Sequence, residues 1–192
     1  MIEDLIKKNR SCRRFHQEYD INPETLNDLV NLARLSASAA NLQPLRYILS
    51  CDASTNSEIF SCLAWAAYLK DWPGPVEGER PAAYIIMLGD TDLAKDFWCD
   101  HGIASQSILL GAREKGLAGC IIGLIDKEKI RKALKIESQY KIMLVLAIGK
   151  PKEEAAIEKV GADGDIKYWR DANQIHHVPK RALQDIIIKS YT

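Results

Sequence analysis

The stretch N-R-S-C-R-R-F, residues 9–15, places three arginines around a serine and a cysteine, directly before a phenylalanine. The apolar spacing of residues 2–6 predicts a short helix that ends at this stretch. Arg10 and Arg13, with the Ser11 hydroxyl between them, can converge on one phosphate through charge-assisted hydrogen bonds. Alternatively, such a basic group is simply a solvated surface face. Other parts of the sequence are needed to distinguish a phosphate site from a solvated surface.

Composition excludes several classes of partner. Lys plus Arg equals Asp plus Glu at 26 each in 192 residues, whereas a nucleic-acid-binding protein usually carries a basic excess. The longest apolar run, residues 142–148, is far shorter than the ~20 residues that span a bilayer, so we expect a buried strand and no membrane. The acidic start, residues 1–5, is unlike a secretory signal. We expect one domain over residues 1–192.

Five cysteines without a C-x-x-C pair indicate reduced thiols, which fits a cytoplasmic location, and we assign no metal site. The four histidines also lack the spacing of helical metal ligands. Residues 116–123 do not match the G-x-G-x-x-G dinucleotide fingerprint, and no G-x-S-x-G or Walker motif occurs. Cys120 has only apolar neighbours in sequence, which predicts a buried thiol rather than a nucleophile.

Helical and strand patterns follow one another along the chain and predict helices interleaved with a few strands, too irregularly for a clean βαβ series. Asn22 and Pro23 open a predicted helix as N-cap and first helical residue. Predicted helices cover residues 22–37, a segment opened by a Thr55–Glu58 capping box, residues 93–115 ended by Gly116, and a segment capped by Asp126. Predicted strands cover residues 45–50, 82–88 and 141–148.

Two segments lack a regular pattern. Residues 70–81 contain three prolines and two glycines, which predicts an exposed loop long enough to serve as a lid. From about residue 149 we expect an irregular C-terminal extension that is polar as far as residue 183. Both segments could cover a site rather than form the core.

Three further stretches suit a phosphorylated, planar ligand. Residues 38–44, S-A-A-N-L-Q-P, could read a ring edge with their amides, or could be a plain helix-to-strand loop. Residues 119–123, G-C-I-I-G, could let backbone N–H groups approach a ligand, or could form a tight turn. Residues 176–181, H-H-V-P-K-R, supply a second basic pair, or are a surface loop.

Taken in order, the patterns R-S-x-R-x-F, S-x-x-N-x-Q-P, the glycine-bounded segment and P-K-R resemble the nitroreductase family. The resemblance implies an α+β fold with a mixed sheet of four to five strands flanked by helices. It also implies an intertwined homodimer with one FMN in each of two sites at the subunit interface. The basic stretch at residues 9–15 would then neutralise the charge of the cofactor.

The resemblance also assigns roles to individual positions. Cofactor-binding residues would be Arg10, Ser11, Arg13, Ser38, Ala39, Ala40, Asn41, Gln43, Ile122, Gly123, Lys180 and Arg181. Of these, the residues from 38 to 43 would come from the partner subunit, and Arg13 would lie near the pyrimidine edge of the flavin. Trp65, Tyr68 and Trp72 are candidates for contacting substrate, and Tyr168, Trp169 and His176 for covering the site.

The implied activity is that of an FMN-dependent NAD(P)H oxidoreductase. It would transfer hydride from nicotinamide to flavin N5 and then to a small acceptor such as a nitroaromatic or a quinone, in a ping-pong cycle. Because the flavin carries this chemistry, no catalytic acid–base pair is required of the protein. The alternatives are other flavin chemistry of the same family, such as dehalogenation, flavin fragmentation or azoline oxidation, and a non-catalytic FMN-binding module.

Overall fold

The computed structural model describes residues 1–191. Its α-helices are α1 (Ile2–Lys8), α2 (Pro23–Arg34), α3 (Ala53–Phe60), α4 (Asp100–Glu114), α5 (Lys127–Ala133) and α6 (Leu183–Ile186). Its strands are β1 (Phe15–His16), β2 (Leu45–Ser50), β3 (Ala83–Asp90), β4 (Ala118–Ile122), β5 (Tyr140–Pro151), β6 (Ala155–Lys159), β7 (Trp169–Arg170) and β8 (His176–Lys180). Among the described residues, no helix combines the length and the apolarity needed to cross a bilayer.

The main sheet has five strands and follows the order β1-β5-β3-β2, with β4 also paired to β5. These four strand pairs are antiparallel. The long strand β5 can pair with three neighbours because β1 takes its last residues, while β3 and β4 lie on its two sides. The strand count and the fold class agree with the sequence-based expectation.

Both faces of this sheet are covered by helices. Alternate residues of β3 point to opposite faces, so Ile85 and Met87 pack beneath α2 and α4, whereas Tyr84 and Ile86 pack with α3 and α5. Every residue of β3 is buried, as expected for a strand with neighbours on both sides and helices on both faces. The apolar run at residues 142–148 lies within β5 as predicted, with residues 142 and 145–148 buried and residues 143–144 half-buried.

Helix boundaries confirm some predictions and correct others. Asn22 caps α2 by accepting a hydrogen bond from the Thr25 backbone N at 2.8 Å, and Asp126 caps α5, both as predicted. α2 ends at Arg34, three residues before the predicted end. The predicted capping box at Thr55 is wrong, because the Asp52 carboxylate accepts from the Thr55 N–H at 2.7 Å and α3 begins at Ala53.

The predicted helix over residues 93–115 begins only at Asp100. Phe97 is buried against Gly89, where an added Cβ would lie 2.4 Å from the Phe97 ring. Trp98 then takes a left-handed backbone conformation with φ of 42°, which a continuous helix cannot contain. The buried Phe97 and the left-handed Trp98 therefore separate the turns that precede residue 97 from helix α4, which begins at Asp100. Gly116, with φ of 72°, follows the end of α4 as predicted.

The expectation of an irregular extension from about residue 149 is wrong for residues 155–159, 169–170 and 176–180, which form strands. A second sheet forms there in the order β6-β8-β7, with β6 and β8 parallel and β7 and β8 antiparallel. These strands are short and polar and one carries Pro179, so their sequence has little apolar alternation. Pairing between distant segments, rather than local propensity, builds this sheet.

Candidate functional site

Two buried side chains hold the basic stretch in place. Cys12 is buried and its backbone N donates to the Gly119 carbonyl at 3.0 Å. Phe15 is fully buried against Gly149, where an added Cβ would lie 2.6 Å from the Phe15 ring. Since Cys12 and Phe15 point into the protein, the remaining residues of the stretch face outward beside the end of β4. Burial raises the pKa of the Cys12 thiol to about 12, so this group remains protonated.

The basic stretch and the far end of the chain enclose one cavity, which we call the basic cavity. Its volume is about 170 Å³. It is lined by Asn9, Arg10, Ser11, Arg13, Tyr168, His176, Val178 and Lys180. Arg181, which directly follows β8, is exposed and does not line this cavity in the described chain.

Two buried donors of the basic cavity lack hydrogen-bond partners among residues 1–191. One is Nε of Arg10, whose Nη2 donates to the Ile6 carbonyl at 2.7 Å. The other is Nδ1 of His176, whose Nε2 lies 3.3 Å from Nη1 of Arg13. Because a guanidinium can only donate, Nε2 must accept and Nδ1 must carry the proton. Burial lowers the pKa of His176 to about 4 despite the opposing effect of the nearby Glu153 carboxylate, so the ring is neutral at pH 7.

Arg14 belongs to a different set of contacts. Its Nε and Nη2 donate to the Glu79 carboxylate at 2.6 and 2.7 Å, and Nζ of Lys152 lies 3.1 Å from the same group. Hydrogen bonding by Arg14, and then by Lys152, lowers the pKa of Glu79 to about 2. The third arginine of the basic stretch therefore fastens the end of the 70–81 loop to the main sheet.

A second cavity of about 240 Å³, which we call the strand cavity, lies at the end of β4. It contains Trp65, Ile122 and Gly123, and it shares Arg13 and Tyr168 with the basic cavity, so the two cavities adjoin. The segment at residues 119–123, for which a tight turn was one of two alternatives, is a strand as far as residue 122. A Cβ added at Gly123 would meet only a Leu144 methyl group, at 3.8 Å, so the backbone there is open to a ligand.

Aromatic side chains cover the junction of the two cavities. The Tyr168 ring centroid lies 5.0 Å from that of Tyr68 and 5.1 Å from that of His176, and Cζ of Arg13 lies 5.0 Å above the same ring. Trp72 does not line either cavity and packs instead beneath Arg170, with 4.8 Å between Cζ and the ring centroid. These contacts attach the second sheet and the 70–81 loop to the site.

Two further residues singled out from the sequence are Trp169, which lies in the second sheet, and Cys120, which lies in β4 and lines the strand cavity. Trp169 stacks on His177 with 4.9 Å between ring centroids, and it lines neither cavity among the described residues. The Cys120 thiol is buried and its pKa is raised by that burial, which confirms the expectation of a buried thiol.

The turn at residues 38–43 is held by a buried carboxylate that the sequence did not reveal. Asp100, the first residue of α4, accepts from the Ser38 hydroxyl at 2.6 Å and from the Ala39 N–H at 2.9 Å. Ala40, Asn41 and Gln43 have φ values of 48°, 55° and 50°, so this turn places three non-glycine residues in the left-handed region. Such strain persists only where surrounding contacts hold it, and it is common at ligand sites.

This turn lies far from the strand cavity of its own chain, which Ile122 lines. Strands β2 and β4 are separated by β5 and β3, which makes three interstrand spacings or about 14 Å. The two ends also differ in position along the strands. Leu45 of β2 lies level with Gly89 of β3 and Lys141 of β5, whereas Ile122 of β4 lies level with Val145 of β5. The separation of Lys141 and Val145 along β5 adds an offset of about 13 Å. Ser38 and Gln43 instead line a separate cavity of about 370 Å³.

The family model, a relative and a solved structure that match this chain are all described as nitroreductases. The family model described as "Nitroreductase family" matches residues 6–150. An oxygen-insensitive NADPH nitroreductase of Helicobacter acinonychis is 26% identical over 191 residues, covering 80% of this chain and 89% of the relative.

Two solved structures share the fold. A nitroreductase family protein of Streptococcus pneumoniae has 19% identity and a TM-score of 0.70, and covers 99% of this chain and 100% of its own. A protein of Exiguobacterium sibiricum, crystallised in complex with FMN, has 20% identity and a TM-score of 0.65, and covers 79% of this chain and 89% of its own.

Proposed function

We propose that this chain, which belongs to the nitroreductase family, is an FMN-dependent NAD(P)H oxidoreductase. When bound, FMN supplies the hydride chemistry, taking a hydride from NAD(P)H and passing it to a small acceptor in a ping-pong cycle. The observation that carries the proposal is the pair of buried, unpartnered donors in the basic cavity, Arg10 Nε and His176 Nδ1. Buried donors without partners are costly unless an acceptor satisfies them, and a phosphate offers several acceptor oxygens.

The basic cavity would hold the FMN phosphate. Arg10, Ser11 and Lys180 supply a guanidinium, a hydroxyl and an ammonium there, and the neutral His176 adds one N–H. Charge-assisted hydrogen bonds contribute about 1.5–3 kcal/mol each, so two or three of them would keep FMN bound through turnover. Arg181 lies outside the cavity lining, and we assign it a weaker, longer-range contribution to binding the phosphate.

The strand cavity would hold the flavin ring. The open backbone at Ile122 and Gly123 supports a close approach of the ring, and Arg13 between the two cavities supports a cation at its pyrimidine edge. A cation there stabilises negative charge that develops on the ring. Tyr168, between Arg13 and Tyr68, would exclude water from the junction.

The turn at residues 38–43 would complete the site from a partner subunit. Its distance from the strand cavity of the same chain argues against direct contact with one FMN in cis, while its strained backbone and buried Asp100 anchor favour a binding role. We therefore propose a homodimer with shared sites, in which Ser38, Ala39, Ala40, Asn41 and Gln43 reach the FMN of the neighbouring chain.

Small planar acceptors, such as nitroaromatics or quinones, fit this arrangement. Trp65 lines the strand cavity, and Tyr68 packs on Tyr168 at its edge, so both could contact an acceptor stacked on the flavin. Trp72 is proposed to act indirectly, by holding the 70–81 loop against Arg170.

The absorbance spectrum of the purified protein tests the proposal directly. We expect flavin absorption that NADH or NADPH bleaches under anaerobic conditions and that a quinone such as menadione restores. Colourless protein after incubation with FMN would rule out the cofactor assignment. Bound flavin that neither nucleotide bleaches would instead support a non-catalytic FMN-binding module.

A further inference from the structure

A third cavity, which we call the Arg80 cavity, lies away from the proposed FMN site. Its volume is about 230 Å³, below the ~300–1,000 Å³ of sites for drug-sized ligands, so only a small molecule would fit. It lies between the segment after β1, helix α3 and the start of β3. Within residues 1–191 it shares no lining residue with the basic cavity or the strand cavity.

Two donors of this cavity are unsatisfied among residues 1–191. The Tyr84 side chain is fully buried and its hydroxyl has no hydrogen-bond partner. The Arg80 guanidinium lies over the Phe60 ring, with 4.4 Å from Cζ to the centroid, and its buried Nε also lacks a partner. By contrast, the buried Asn56 amide donates to the Ala82 carbonyl and accepts from a serine hydroxyl, so its needs are met within the fold.

Both unsatisfied groups act as donors. A guanidinium can only donate. Burial raises the pKa of Tyr84, so its hydroxyl keeps its proton across the physiological range and can donate as well. A half-buried cation whose buried Nε lacks an acceptor, beside a buried hydroxyl that also lacks one, indicates an anionic oxygen ligand, because a carboxylate has lone pairs for both.

The remaining charged groups of the lining are acidic. Glu18 and Asp20 are both exposed, which places them toward the mouth of the cavity, whereas Tyr84 is at its buried end. Glu18 also lies 3.2 Å from Nδ1 of His16. Two carboxylates near the mouth repel a dianion and attract a positive charge. The cavity thus offers donors inside and carboxylates outside.

We propose that the Arg80 cavity binds a small zwitterionic amino acid. Its carboxylate would accept from Arg80 and Tyr84, and its ammonium group would face Glu18 and Asp20. Phe60 joins this cavity to the strand cavity, because its ring packs against Trp65 at 5.8 Å between centroids. Binding of the amino acid is therefore expected to change the fluorescence of Trp65. In the FMN-loaded protein, it is also expected to change any quenching of that fluorescence by the flavin.

Isothermal titration calorimetry of the full-length protein, as purified, tests this site with L-serine as the probe. We expect saturable binding with a Kd of about 1 mM or lower. Acetate lacks the ammonium group and methylammonium lacks the carboxylate, so both are expected to bind at least tenfold more weakly. Tyr84→Phe and Arg80→Gln should each weaken L-serine binding at least tenfold, whereas Tyr140→Phe, which removes a hydroxyl outside the cavity, should not.

Three results would overturn the proposal. They are the absence of saturable heat with L-serine at ~10 mM, equal affinity for acetate and L-serine, and unchanged L-serine binding in both cavity variants. Tyr84→Phe removes only an unpartnered oxygen and keeps the buried ring, so it is expected to fold even if Arg80→Gln does not. The flavin spectrum of the same samples reports the proposed cofactor independently.

Discussion

Glu153 accepts a hydrogen bond from the backbone N–H of Arg13, 140 positions earlier in the chain. The same carboxylate, whose side chain is 1% exposed, accepts from Nη2 of Arg170 at 2.7 Å. Arg170 in turn lies over the Trp72 ring. One buried carboxylate therefore links the basic stretch to the second sheet and, through Arg170, to the 70–81 loop. The position of Arg13 between the two cavities depends on this link.

Glu153→Gln is expected to weaken FMN binding about tenfold and to lower the free energy of unfolding by about 3 kcal/mol. The amide keeps the size of the side chain but loses the charge that pairs with Arg170, and its single oxygen has to serve two donors. Fluorescence titration with FMN and chemical denaturation measure the two effects. Glu154→Gln, at the exposed neighbouring residue, is the matched control and should change neither. An unchanged FMN affinity in Glu153→Gln would contradict the role given to this contact.

Lys180 and Arg181 offer a test of which cation meets the phosphate. Lys180 lines the basic cavity and Arg181 does not, so Lys180→Gln is expected to raise the Kd for FMN at least tenfold and Arg181→Gln less than threefold. Arg10→Gln should resemble Lys180→Gln. Titration of each apoprotein with FMN measures the effect, and far-UV circular dichroism checks the fold. If Arg181→Gln is the more damaging of the two, the cavity is not the phosphate site.

Ion pairing by Glu79 makes part of the stability pH-dependent. The pKa of Glu79 is lowered from 4.5 to about 2, so its stabilising effect is fully present above pH 4.5 and is lost as the pH falls toward 2. Glu79→Gln should lower the free energy of unfolding by about 2 kcal/mol at pH 7, and this difference should shrink below pH 4.5. Denaturation at pH 7, 4 and 3 measures it, with the exposed Glu77→Gln as control. A difference that stays constant down to pH 3 would exclude this origin.

The parts of the fold that sequence could predict are those set by local chemistry. Residues 45–50 form β2 as predicted, and Asn22 and Asp126 cap their helices, because side-chain caps and strand propensities act within a few residues. The family resemblance grouped Arg10 and Ser11 with Lys180 and Arg181, and the structure brings the first three of these to one cavity but leaves Arg181 outside its lining.

What the sequence could not predict depends on pairing between distant segments. The register of β6 with β8 fixes the second sheet. It also determines that Lys180 faces the basic cavity. Its neighbour Arg181 does not, because adjacent residues of an extended chain point to opposite sides. Asp100 and Glu153 are missed for the same reason. Each is one acidic residue among many in the sequence, and only the fold shows that it is buried against a backbone N–H.

The proposed shared site can be tested by complementation between two defective chains. One chain carries Arg10→Glu with Lys180→Glu, and the other carries Asn41→Gly with Gln43→Gly. Glycine removes the two amide side chains without adding strain, because both positions have φ near 50°. In a dimer that combines both chains, one site takes all its residues from the unaltered parts of each chain, and the other site carries both defects.

If the two chains associate at random, half of the dimers are mixed and about a quarter of the wild-type FMN content should be recovered after co-expression. Each variant alone should contain almost none at the same FMN concentration. Light scattering of the purified samples shows whether dimers have formed, and the flavin absorbance per chain gives the FMN content. If dimers form on mixing but recover no FMN, the turn at residues 38–43 serves a site within its own chain. That result would contradict the shared site proposed from the separation of this turn and the strand cavity across the sheet.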